Sequence, residues 1–211
     1  MAFSERVAER STESARKRAS DEVGRLVAAG LAVLRRSGVA GLTVNDVLAE
    51  AGLSTRAFYR NFASKDELVL AVFEHDSRRS LERLRDAVGA KRSPRTGFEA
   101  WLDETLALVF DPRRARRTQT LWAEGSRLRR EFPEEFDRIV AGQLAPLVEV
   151  LQRGRDDGTF PTTHPEDDAR SIHALVWNLV ERHLGGAEKL TRKQVREHVL
   201  RFCLSALGAR P

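Results

Sequence analysis

Apolar residues recur at three- and four-residue spacing through almost the whole chain, and no convincing run alternates apolar with polar residues at period two. That periodicity belongs to the α-helix and leaves no place for a half-buried strand as the repeating unit. The breaks fall at helix-length intervals: Gly38 and Gly41, Gly52, Lys91–Pro94, Asp111-Pro112, Phe132-Pro133, Asp157-Gly158, Thr162–Pro165 and Gly185-Gly186. The chain is therefore expected to be all-α, with about nine helices. They run from Asp21 to just before Gly38, over Val44–Ala51 and Thr55–Phe62, and through a long segment after Ser64. The rest span about Thr96–Phe110, Arg113–Arg130, Pro133–Asp156, Pro165–Leu184 and Arg192–Leu207.

Side chains that terminate helices stand at several of these breaks. Thr43 with Asp46 three residues on, and Ser64 with Glu67, have the spacing of a capping box, and Thr191 caps the last helix. Three parts are expected: a flexible basic arm or frayed helix over residues 1–20, a small three-helix domain over 21–66, and a larger helical domain over 67–211. The 41% hydrophobic and 32% charged residues suit a globular protein. Met1–Ser20 has no apolar core of a signal peptide and no apolar run approaches a membrane span, so a cytoplasmic protein without membrane contact is expected. The net charge of +5 points only weakly to a polyanionic partner. The single cysteine, Cys203, sits in an apolar run and reads as a small buried hydrophobe.

The segment Gly41–Leu70, GLTVNDVLAEAGLSTRAFYRNFASKDELVL, is the most informative. Two short helices flank a tight glycine turn, Val47, Leu48, Leu53, Phe58 and Phe62 point to a common core, and Ala49 is placed at the close approach of the helices. This is the pattern of a helix-turn-helix, whose second helix enters the DNA major groove. Thr55, Arg56, Tyr59, Arg60 and Asn61 are the outward positions of that helix. Arginine pairs with guanine O6 and N7, threonine reaches thymine methyl or phosphate, and a tyrosine hydroxyl suits a phosphate oxygen. Thr43, Asn45 and Ser54 at the helix starts and Lys65 beyond the motif complete the expected contacts with double-stranded DNA.

From Asp21 to about Phe73 the chain resembles the DNA-binding domain of the TetR (tetracycline-repressor) family. The phrase LSTRAFYRNFASKDEL is similar to that family's signature, with tyrosine, second aromatic, cap and lysine at the family spacing. Arg56-Ala57 stands where family members often have glycine or threonine, so the operator is expected to be the chain's own. The resemblance implies an all-helical homodimer that pairs through its last two long helices. It also implies a repressor of a palindromic operator, released when a small-molecule effector shifts the two DNA-binding heads apart. An activator, or a DNA-binding protein without an effector, uses the same head and stays open as an alternative.

In the larger domain, His173, Val176 and Val180, with Val195, Val199 and Phe202, form the stripes expected at the dimer interface, though parts of both must also serve an intrachain core. Trp101, Leu102, Thr105, Val109, Leu121, Trp122, Phe136, Val140 and Trp177 are the candidate effector-binding residues, with ordinary core as the competing reading. Arg113, Arg114, Arg116, Arg117, Arg127, Arg129 and Arg130 share a segment with one acid, Glu124; they suit either an anionic ligand or a solvated face. No catalytic motif occurs, and the five histidines are scattered with no cysteine cluster, so no enzyme, cofactor or metal is expected.

Overall fold

The computed structural model describes residues 3–38, 40–185 and 189–209, without the side chains of 3–12, 14, 15, 122 and 123. Among the described residues there are nine helices and no strand. They are α1 (Phe3–Ser37), α2 (Val44–Ala51), α3 (Thr55–Asn61), α4 (Lys65–Gly89), α5 (Pro94–Phe110), α6 (Pro112–Glu131), α7 (Pro133–Asp156), α8 (Pro165–Leu184) and α9 (Arg192–Ala206). The all-α expectation holds, and most boundaries agree within two residues. No described helix is long and apolar enough to cross a membrane.

The largest difference is at the start. The expected flexible arm over residues 1–20 is continuous with α1, which begins at Phe3. Acid–base spacings of three and four, such as Arg6–Glu9, Arg10–Glu13 and Glu13–Lys17, favour that helix. The chain divides into two compact units, Met1–Asp76 and Ser77–Pro211, so the division falls inside α4, ten residues after the boundary expected at 66/67.

In the first unit, Leu26, Leu34, Leu42, Val47, Phe58, Leu68 and Val72 are buried into one core. A Cβ on Gly30 would stand 3.1 Å from Val72 Cγ2, so the missing side chain permits close packing of α1 on α4. Ala49 is exposed, whereas Ala51 of α2 and Ala57 of α3 are buried.

The second unit buries Phe98, Trp101, Leu102 and Leu106 of α5 with Leu147, Val150 and Leu151 of α7, and closes over them with α8 and α9. Val176, Val180, Val195 and Val199 lie inside this core, at 2% exposure or less. These four valines, expected at a dimer interface, pack within their own chain and hold α8 and α9 to it. Arg196 ties α9 to α5 from outside, donating to Asp103 Oδ1 at 2.9 Å and to Glu99 Oε2 at 3.1 Å. Cys203 is buried, and that burial pushes its thiol up to about 11, which makes it a packed, unreactive side chain.

Candidate nucleic-acid interface and ligand-binding region

The geometry of the first unit follows from its caps. Thr43 Oγ1 accepts from the Asp46 N–H at 3.1 Å, which starts α2. Gly52 then ends α2 at φ 61°, a left-handed conformation that glycine adopts without steric cost, and the Leu53 N–H returns to Leu48 O at 3.1 Å. Ser54 Oγ accepts from the Ala57 N–H at 3.2 Å and starts α3. At α4, Ser64 Oγ accepts from the Glu67 N–H at 3.1 Å, while the Glu67 carboxylate accepts from the Ala63 N–H at 2.7 Å.

Two contacts that the sequence did not disclose fasten this motif to α1. Arg25 donates Nη2 to Ala51 O at 2.6 Å and to Gly52 O at 3.2 Å, placing a cation on the open carbonyls of the α2 C-terminus. Glu22 accepts from Arg60 Nη2, at 2.6 Å on Oε1 and 2.5 Å on Oε2, and from Asn61 Nδ2 at 3.0 Å. The partners lie 38 and 39 residues apart, and no local spacing announces them.

The DNA-contact residues read from the sequence therefore separate into groups. On α3, Ala57 and Phe58 face the core, while Thr55, Arg56, Tyr59 and Arg60 face outward. Arg56 makes no hydrogen bond or ion pair among the described residues and is exposed. Tyr59 is 59% exposed, its ring held edge-on against Phe58 at 5.2 Å. Such an aromatic, fixed at its base and open at its hydroxyl, is built for a partner. Asn45, Ser54 and Thr55 are exposed, and Lys65 is half-buried at the first position of α4. Three residues are committed elsewhere. Asn61 is half-buried between Glu22 and Ala57 O, Arg60 is paired with Glu22, and the Thr43 hydroxyl donates to Asp46 Oδ2 at 2.6 Å. Asn61 thus ties α3 to α1 through Glu22.

The guanidinium and amide beside Glu22 hold its carboxyl below the usual carboxylate range. A depressed carboxyl contributes its stabilisation above its unfolded pKa and loses it as pH falls through the folded value. Glu22→Gln removes one negative charge beside α3 and frees Arg60 for phosphate. We expect it to tighten binding to non-specific duplex roughly two- to tenfold and to steepen the salt dependence by about one unit per subunit. Unchanged affinity in a fluorescence anisotropy titration over salt would show that Arg60 stays clear of the phosphates.

In the second unit, the candidate effector residues Trp101, Leu102, Thr105, Val109, Leu121 and Phe136 are all buried, and Val140 and Trp177 are half-buried. The Trp122 side chain lies outside the described residues. The Thr105 hydroxyl is spent on Trp101 O at 2.8 Å, but Trp101 Nε1 is buried with no hydrogen-bond partner among the described residues. A surface groove of about 450 Å³ is bordered by Arg95, Glu99, Leu200, Arg201 and Leu204 of α5 and α9, and none of the candidate effector residues lines it. The basic α6 segment is mixed. Arg113, Arg116, Arg129 and Arg130 are exposed, whereas Arg114 and Arg127 are half-buried and paired with Glu104 and Glu124, each at 2.7 Å. Arg129 also stands over the Phe136 ring at 5.3 Å. His173 is half-buried beside Trp177, and burial, with Arg129 adding to it, pushes its imidazole down to about 4, so it is neutral at physiological pH. Among the described residues of this unit, the exposed aromatic is Phe202, at 60%, stacked on His198.

Comparison with known proteins agrees with this division. Residues 26–72, which hold most of the fastened motif, match the family described as bacterial regulatory proteins, tetR family. The HTH-type transcriptional regulator CymR of Pseudomonas putida is 28% identical over 200 residues, covering 87% of this chain and 90% of its own. Escherichia coli NemR in its reduced form has a similar fold, with a TM-score of 0.69 at 22% identity over 86% of this chain and 96% of that one. The transcriptional regulator FadR of Bacillus subtilis, solved in complex with stearoyl-CoA, gives a TM-score of 0.67 at 16% identity over 86% of this chain and 97% of that one. Residues 26–72 thus carry a DNA-binding domain like that of the tetR family of bacterial regulatory proteins, and the chain is similar to the transcriptional regulator CymR along most of its length.

Proposed function

We propose that the protein is a repressor that binds a palindromic operator as a homodimer and leaves it when a small-molecule effector binds within residues 77–211. The observation that carries the reading is the outward face of α3. Arg56 and Tyr59 are exposed there on a helix whose other side is locked to α1 and the core. Arg56 reads a base edge, and Tyr59, Ser54, Thr55, Asn45 and Lys65 hold phosphates. One seven-residue helix offers too little surface for a specific site, so two are needed, on half-sites about 34–36 Å apart.

The second copy is expected to cover Phe202 and the exposed side of α8, including the edge of His173. These groups are what remain of the expected interface once the four buried valines are assigned to the intrachain core. The effector is expected to touch Val140 and Trp177, which are half-buried, with the buried residues of α5, Leu121 and Phe136 as the wall behind them. That FadR, of similar fold, was solved in complex with stearoyl-CoA supports a small-molecule effector.

Sedimentation velocity tests the assembly. The wild-type chain should run as a dimer and place two chains on one operator duplex. Phe202→Glu changes a side chain 60% exposed in the single chain, so it should leave the fold intact while putting a charge into the interface. We expect it to shift the protein to monomer at micromolar concentration. A Phe202→Glu chain that remains dimeric would move the interface away from α9.

A further inference from the structure

Resting on the effector reading above, the second unit also carries the chemistry of the ligand it takes. Ser80 of α4 is only 5% exposed, and its hydroxyl has no hydrogen-bond partner among the described residues. Three residues further along, on the same side of the helix, Arg83 donates Nε to Glu104 Oε1 at 3.0 Å while its Nη2 is buried without an acceptor. Arg114 of α6 donates Nη1 to the same Glu104 oxygen at 2.7 Å. Trp101, one turn before Glu104 on α5, has a third buried donor left open at Nε1.

Buried donors without acceptors are costly, and folding tolerates them mainly where something else supplies the acceptor. Here Ser80 Oγ–H and Arg83 Nη2–H both lack one, within one turn of each other. The charge points the same way. One carboxylate, Glu104, serves two guanidinium groups, and Asp111, 3.7 Å from Arg114 Nε, is the more exposed and more screened acid. A cation is repelled by this arrangement and a neutral amide leaves the charge uncompensated. A single negative charge on a planar pair of oxygens satisfies both, since it matches the guanidinium fork and accepts from a hydroxyl. The flanking side chains are apolar: Leu84 beside Arg83, and Leu108 and Trp101 on the turns either side of Glu104.

We propose that Ser80, Arg83 and Arg114 form the head-group subsite for the effector, and that the effector is a monocarboxylate on an apolar body. A phosphate monoester carries nearly two charges at neutral pH and fits this pairing less well.

Isothermal titration calorimetry on the full-length chain, with no DNA present, tests this. The probes are octanoate against octanamide, 2-naphthoate against 2-naphthamide, and octyl phosphate. At least one acid should bind, roughly tenfold or more tighter than its amide and tighter than the phosphate. Ser80→Ala and Arg83→Gln should each weaken that acid by about tenfold and leave its amide unchanged. Ser80→Ala removes one oxygen and keeps the Arg83–Glu104–Arg114 cluster, so it decides the matter if Arg83→Gln melts early by circular dichroism. Amides binding as well as acids, failure of both acids to bind, or acid affinity indifferent to Ser80→Ala would overturn the proposal. A neutral compound that released operator DNA would keep the effector reading and sink only the carboxylate. A chain that bound acids but no operator would do the reverse.

Discussion

Arg56→Ala is expected to weaken operator binding by a factor between about 30 and 20,000. Each bidentate arginine–guanine pair is worth about 1–3 kcal/mol of discrimination, and the proposed homodimer makes the contact twice. The substitution should also relax sequence preference at one base position in each half-site. Tyr59→Ala removes a phosphate contact, so its loss should be smaller and uniform across sequences. Neither change should lower the melting temperature or the dimer content, because Arg56 has no partner among the described residues and Tyr59 is 59% exposed. Competition titrations of each variant against operator and single-base variants of it separate the two roles. An Arg56→Ala chain that keeps the parent's preference at every position would show that α3 is docked in another register.

Phe58→Ala should have the largest effect on stability. Phe58 is wholly buried, one helical position from Tyr59 and 5.8 Å ring to ring from Phe62. Truncating a buried phenylalanine costs about 3–5 kcal/mol, from lost burial and the cavity left behind. A domain of this size has only about 5–15 kcal/mol in total. The loss should be local, since the two units have separate cores. In hydrogen exchange, amide protection in α1, α2 and α3 should collapse while the α5 and α9 amides keep theirs, and operator binding should vanish at 37 °C. Equal loss of protection in α5 and α9 would mean that the two units unfold as one.

What could be read in advance was local. Thr43, Ser54, Ser64 and Thr191 act within three or four residues of themselves, and each caps the helix it precedes. The outward face of α3 was legible for the same reason, since burial of Phe58 fixes where Thr55, Arg56 and Tyr59 point. Contacts between distant residues were not legible. Asn61 has the chemistry of a base contact, but Glu22 lies 39 residues away and takes it. Arg83 and Arg114 meet on Glu104 across gaps of 21 and 10 residues. The stripes of α8 and α9 show a further limit. Periodicity finds the face that is buried, but whether its own chain or another copy buries Val176 and Val199 is decided by packing elsewhere.

The most direct test of the regulatory reading is selection of the full-length chain on a pool of random duplexes, with binding of the enriched sequence measured at two salt concentrations. A repressor dimer carrying this helix-turn-helix should enrich two inverted half-sites about 10 base pairs apart, bind them with steep salt dependence, and lose the enrichment in Arg56→Ala. No enriched sequence, together with no binding at low salt, would contradict it.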